Sequence, residues 1–166
     1  MLVKTFGSAV YGVEATTITI EVNWLSASGK DTMIVGLPDN AVKESLQRVE
    51  STFKTNGYLM PRTKVVVNLA PADIKKSGTA FDLPIALGIL GASEQIKEKD
   101  ALAKYVVMGE LSLDGEVRPI KGALPIAIQA RKEGFRGLIV PEANAREAGM
   151  VNNLQVYGVS HIKEVI

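Results

Sequence analysis

The sequence predicts an α/β sandwich, helices laid on a mixed sheet, folded as one domain. Three observations predict it. Segments of strand-like alternation and segments of helical periodicity succeed one another along the chain. Short polar turns separate some strands closely enough for antiparallel hairpins. One segment, Leu83 to Ala92, is apolar nearly all round, as in a helix buried on several sides. With 166 residues, 46% hydrophobic and 22% charged, the chain suits one domain with an ordinary core.

The elements follow in order. From Val13 to Trp24, Ile18, Ile20, Val22 and Trp24 share one face and Thr17, Thr19, Glu21 and Asn23 the other, a half-buried strand. Ser26 to Asp31 is a polar turn, Thr32 to Leu37 resumes the β pattern, and the two strands read as a hairpin. Gly36-Leu37-Pro38-Asp39 breaks the strand. Asp39 or Asn40 caps a helix that runs to about Phe53, with Val42, Leu46, Val49 and Phe53 inward and a Glu44–Arg48 pair outward. Asn56-Gly57 ends it. Lys64 to Leu69 is a strand. Pro84, lacking an N–H, must lie in a helix's first turn, so the next helix starts between Ala80 and Leu83.

Tyr105 to Gly109 is β-like, and Leu111 to Val117 reads as strand, Asp114-Gly115 turn, strand. Gly122 to Glu133 forms a helix stopped by Gly134. Gly137 to Val140 is a short strand, Asn144 to Glu147 fits a capping box, Leu154 to Val159 is a last strand, and Ser160 caps a final helix. That helix meets no stop by Ile166, so the chain is expected to continue beyond it.

Composition excludes several classes of function. There is no cysteine, which removes disulfides and thiolate metal sites, and the single histidine, His161, argues against a His-based metal centre or triad. No metal is expected in this domain. A net charge of +1 implies no polyanionic partner for the domain as a whole, leaving room for a local basic patch. No apolar run approaches the ~18 residues of a membrane span. The N-terminus lacks a secretion signal's core, and a cytoplasmic protein is expected.

The loop Pro71 to Thr79, between a strand and a helix start, is the best candidate for chemistry, because free helix N–H groups converge at such places. It carries Lys75, Lys76, Ser77, Gly78 and Thr79. The first two are candidates for phosphate or nucleic-acid contact; the plainer alternative is a surface loop with solvated lysines. Ser77 or Thr79 would be a weak nucleophile without a base. Ser28-Gly29-Lys30-Asp31 only superficially suggests a nucleotide loop: Trp24 stands where a glycine is needed and Asp31 where a hydroxyl should follow the lysine.

Certain stretches are more specific. Phe6-Gly7-Ser8-Ala9, Val35-Gly36-Leu37-Pro38-Asp39, Val67-Asn68-Leu69-Ala70-Pro71-Ala72-Asp73, Phe81-Asp82-Leu83-Pro84, Gly109-Glu110-Leu111-Ser112-Leu113-Asp114-Gly115, Leu138-Ile139-Val140-Pro141 and Val159-Ser160-His161 occur in this order across nearly the whole chain. In them the chain resembles the N-terminal domain of the ComM/YifB family, the magnesium-chelatase-like AAA+ ATPases of bacteria.

The resemblance implies a fold like the proteolytic domain of Lon, in the superfamily of a ribosomal protein's second domain. Lon's nucleophilic serine then falls on Thr79 and its lysine base on Leu124, with Lys121-Gly122 in place of a glycine pair. A leucine accepts no proton, so the dyad is broken at its base. Lys121, three residues early, is expected to point elsewhere, and Phe81, where Lon has glycine, to fill the cleft. The resemblance also implies a AAA+ module after residue 166 that uses ATP and magnesium, assembly into hexamers, and in some members natural transformation and DNA branch migration.

Three readings follow. The first is a non-catalytic domain that supports ring assembly or engages DNA or another substrate, contacting neighbouring subunits and its own AAA+ module, with Lys75, Lys76, Arg118 and Lys121 on one positive face. The second is a divergent Ser/Thr peptidase using Thr79 or Ser77 with Lys76 or Lys121. The third is a structural spacer.

Overall fold

The computed structural model describes residues 1–25 and 32–166. The Ser26–Asp31 turn and the Ser28–Asp31 motif lie outside the described residues. The sheet contains β1 (Leu2–Tyr11), β2 (Glu14–Trp24), β3 (Thr32–Val35), β4 (Val65–Ala70), β5 (Tyr105–Val107), β8 (Gly137–Pro141) and β9 (Gln155–Val159). A separate ribbon joins β6 (Glu110–Leu111) to β7 (Val117–Arg118). The helices are α1 (Asn40–Lys43), α2 (Ser45–Asn56), α3 (Asp82–Ala92), α4 (Ala123–Lys132) and α5 (Glu142–Ala148).

The seven strands are ordered β3-β4-β2-β1-β5-β8-β9, and β2 runs antiparallel to both its neighbours while the other pairings are parallel. The mixed α/β sandwich expected from the sequence is therefore present. The expected β2–β3 hairpin is not. β4 lies between these strands, antiparallel to β2 and parallel to β3, and β2 pairs instead with β1 along its length. A two-residue turn, Gly12-Val13, suffices for that pairing, whereas β2 to β4 is a tertiary contact that local pattern does not specify.

Every residue of α3 is buried, as its apolar circumference requires. It crosses the sheet at close range. A Cβ on Gly88 would stand 2.5 Å from a Val22 methyl, so only glycine fits there. Thr5 donates to the Pro84 carbonyl at 3.0 Å at the same crossing. The α2 face Val49–Phe53 packs into this core, and Gly57 closes the helix with φ 81°.

Three local expectations are corrected. Arg48 does not pair outward with Glu44; it turns inward to the Asp82 carboxylate. Asn144 does not cap α5, which begins after Pro141, but sits buried within it. The last turn, Ile162–Glu164, is a 3-10 turn capped by His161, whose Nδ1 accepts from the Lys163 N–H at 3.2 Å. Ser160 instead donates to Glu142 at 2.5 Å.

Asp82 is the buried hub between layers. Arg48 Nε donates to Oδ2 at 2.6 Å and Nη2 to Oδ1 at 2.9 Å; Ser45 Oγ donates to Oδ1 at 2.5 Å and the Leu111 amide to Oδ2 at 3.1 Å. One carboxylate thus ties α2, α3 and the β6–β7 ribbon together. Burial pushes its pKa up, against the opposing pull of Arg48, Ser45 and the Leu111 amide.

Candidate binding cleft

The loops after β1, β3, β4 and β5 all leave the carboxyl edge of the strands that run together, the edge at which α/β sheets usually build sites. There the Pro71–Thr79 loop is strapped to the segment after β3. The Lys76 amide donates to the Leu37 carbonyl and the Asp39 amide to the Lys76 carbonyl, both at 2.9 Å. Asp39 serves two elements: Oδ1 accepts the Val42 amide at 2.8 Å and caps α1, while Oδ2 accepts the Gly78 amide at 3.2 Å. Tyr11, at the end of β1, donates its phenol to the Lys75 carbonyl.

Lys76 is buried, and its ammonium donates to the carbonyls of Gly36, at 2.8 Å, and Pro71. Burial lowers its pKa, with Asp73 opposing. Lys76 is therefore an internal staple of the loop, and the expectation of a solvated or DNA-contacting side chain is corrected. Gly36 makes the close approach possible: its φ is +104°, and a Cβ would lie 2.2 Å from the Leu69 carbonyl oxygen.

Between this loop and the chain after β7 lies a cleft of about 410 Å³. Ser77, Gly78, Thr79 and Lys121 all line it, together with Ser8 to Tyr11 of β1, Ala80, Phe81, Met108, Pro119 and Ile120. Lys121 thus faces the cleft, where the sequence led us to expect it elsewhere. Lys75 is exposed on the loop beside it. Arg118 stands opposite Glu110 on the β6–β7 ribbon and is not among the lining residues. Leu124 is also outside the lining; in the first turn of α4 it packs on the core, and its amide donates to Glu147 at 3.4 Å. Phe81 is buried at the cleft floor and fills the space only in part.

Asn144 sets the position of the Lys121 wall. Its Oδ1 accepts the Ile120 amide and its Nδ2 donates to the Ile120 carbonyl, each at 2.9 Å. Nothing in the local sequence marks this clamp, because its partner lies 24 residues away. Asn144→Ala leaves both groups of Ile120 without their partner, an expected loss of about 1–3 kcal/mol. Thermal unfolding checks the size, and faster hydrogen exchange at Ile120 checks the place.

Among the described residues, no hydrogen bond engages the Thr79 or Ser77 hydroxyl, and no group of three or more His, Cys, Asp or Glu side chains is placed to hold a metal ion. No helix is long and apolar enough to cross a membrane.

A mixed sheet with one fully buried helix carries a cleft at its carboxyl edge, between a strapped loop and a short β ribbon, and this architecture agrees with the chain's similarity to Lon proteases. The chain belongs to the family of the ChlI subunit of magnesium chelatase, whose model matches residues 20–144. Within that class it is similar to the YifB protein of Salmonella typhimurium, 41% identical over 157 residues, covering 95% of this chain and 30% of that protein. It is likewise similar to the competence protein ComM of Haemophilus influenzae, 39% identical over 165 residues, covering 99% of this chain and 32% of that protein. A Lon protease of Lachnoclostridium phytofermentans is 26% identical over 172 residues, covering 96% of this chain and 21% of that protein. The chain thus spans about a third of the length of its ComM and YifB relatives.

Proposed function

We propose that this chain is the non-catalytic, Lon-like N-terminal domain of a ComM/YifB-type AAA+ ATPase, and that it holds partners without cutting them. Those partners are the neighbouring subunits, the AAA+ module that would carry ATP and magnesium, and DNA or another substrate of the assembled ring. The observation that carries the reading is the loss of a general base. Leu124, where the Lon lysine falls by resemblance, is aliphatic and packed on the core, and Lys76, the nearest loop lysine in sequence, is turned away onto two carbonyls. A hydroxyl without a base is a poor nucleophile. Lys75 and Lys121 are exposed cations at or beside the cleft, and contact through them would weaken with salt.

One observation favours a second reading, a divergent peptidase: Lys121 and Thr79 line the same cleft. Incubation with unfolded casein separates the two. The expected result is no cleavage, unchanged by Thr79→Ala or Lys121→Met. Cleavage abolished by either substitution would establish the peptidase instead. In the same preparations, Lys75→Glu with Lys121→Glu is expected to remove salt-dependent binding of single-stranded DNA; unchanged affinity would reject DNA contact at this rim.

A further inference from the structure

We propose that a second hollow, at the opposite end of the strands from the cleft, binds a small planar aromatic acid whose carboxylate is taken by Arg62.

The hollow forms where β2 ends and β4 begins, at Trp24 opposite Val65. The cleft lies at the other end of β1 and β2, and the two share no lining residue. The hollow holds about 370 Å³, within the ~300–1,000 Å³ of ordinary ligand sites. Trp24, Leu59, Met60 and Pro61 give it apolar walls.

The wall from Tyr58 to Thr63 belongs to no helix or strand, yet it is fixed at several points. Gln95 treats Leu59 as a neighbouring strand would: its Oε1 accepts the Leu59 amide at 2.8 Å and its Nε2 donates to the Leu59 carbonyl at 2.7 Å. Gln95 is itself held just past α3, where its amide donates to the Leu90 carbonyl at 2.8 Å. The Tyr58 amide donates to the Phe53 carbonyl at 2.8 Å, and the two rings pack edge to face with centroids 6.2 Å apart. Trp24 Nε1 donates to the Thr63 hydroxyl. A wall ordered in advance leaves little ordering for a ligand to supply.

These bonds also occupy the polar groups of the lining. Ser93 Oγ donates to the Ile89 carbonyl at 2.7 Å and accepts from Gln95 Nε2 at 2.8 Å. Arg62 differs. It is exposed, and among the described residues no hydrogen bond or ion pair engages its guanidinium. The acid in the neighbouring hollow, Glu50, is paired with Lys54 at 3.6 Å. A guanidinium presents a planar fork of donors that matches a carboxylate. Apolar walls beside one unpaired cation suit an apolar body with a single negative charge. The indole of Trp24 and the thioether of Met60 favour an aromatic body over an aliphatic one, through ring–ring and sulfur–ring contacts. Leu59 is 74% exposed, so a bound ring would also take apolar surface out of water.

The test is a titration of the 15N-labelled chain with 2-naphthoate, read by NMR. Trp24 is the single tryptophan, so one indole N–H resonance reports on the hollow. That resonance and the amides of Met60, Arg62 and Gln95 are expected to shift, with a Kd of about 1 mM for so small a ligand. The neutral 2-naphthamide should bind about threefold more weakly, as loss of one exposed ion pair requires. The saturated decahydro-2-naphthoate should also bind about threefold more weakly, lacking the ring contacts. Arg62→Met, at an exposed position, should remove the difference between naphthoate and naphthamide and leave naphthamide binding unchanged. Equal binding of the acid and the amide by the parent chain would overturn the proposal. So would equal binding of the saturated acid, shifts clustered outside the hollow, or no response at about ten times the expected Kd. Adenosine monophosphate moving the same resonances at lower concentration than naphthoate would overturn it in favour of a nucleotide site. The non-catalytic reading of the cleft stands or falls separately, since none of these resonances belongs to a cleft residue.

Discussion

Arg48→Ala is expected to lower the free energy of unfolding by about 3–5 kcal/mol at neutral pH, since it strips the partner from a buried carboxylate. Asp82 is inaccessible to solvent, and Arg48 supplies two of the side-chain bonds that hold it. With only Ser45 and the Leu111 amide left, the charge remains in the interior without a counter-ion. The loss depends on pH. Burial already raises the Asp82 pKa in the folded chain. A carboxyl raised on folding contributes its stability fully below the ordinary carboxylate range, where it is protonated in both states. It loses that contribution as pH rises through its folded pKa. Removing Arg48 raises that pKa further, so the deficit of Arg48→Ala should be smaller at pH 4 than at pH 7. Urea unfolding of both proteins at the two pH values checks this, and an equal deficit at both would show that Asp82 stays ionised without its arginine.

Phe81→Ala should cost a similar amount, about 3–5 kcal/mol, through loss of buried ring and the cavity left behind. Here the effect has an address. A Cβ on Gly7 would stand 3.2 Å from the Phe81 ring and 3.1 Å from Met108 Sδ, so Gly7→Ala alone is tight. Once the ring is gone the added methyl enters vacated space, and the thioether can move aside. Gly7→Ala is therefore expected to destabilise the parent and to recover part of the loss in Phe81→Ala, with a coupling of about 0.5–3 kcal/mol. A double-mutant cycle by urea unfolding measures it. Additive effects would mean that the floor collapses and leaves no space to fill.

The limits of sequence reading can be traced to particular residues. α2, α3 and β4 were legible because their apolar periodicity and Pro84 are local signals. β1 was not: its core face is Val3, Thr5, Gly7 and Ala9, small residues chosen by the close crossing of α3 and the ring of Phe81, so hydrophobic alternation is faint. Asp82 carried a signal that went unused, since an acid inside an apolar helix needs a partner, and Arg48 was assigned to the surface. At the cleft, the loop carrying Ser77 to Thr79 was found from its place between strand and helix. The direction of Lys121 was not, because it depends on the Asn144 clamp. The inward turn of Lys76 was not, because its acceptors are backbone carbonyls that look alike in every sequence.

The staple at Lys76 bears on how firmly the rim of the cleft is held. A half-lifted loop would strand an ammonium and two carbonyls between protein and water, which disfavours intermediate positions. The Asp39 carboxylate is shared between α1 and Gly78, so displacement of one is felt by the other. The Pro71–Thr79 segment is thus tied to α1 and to the β3 exit as one rigid unit.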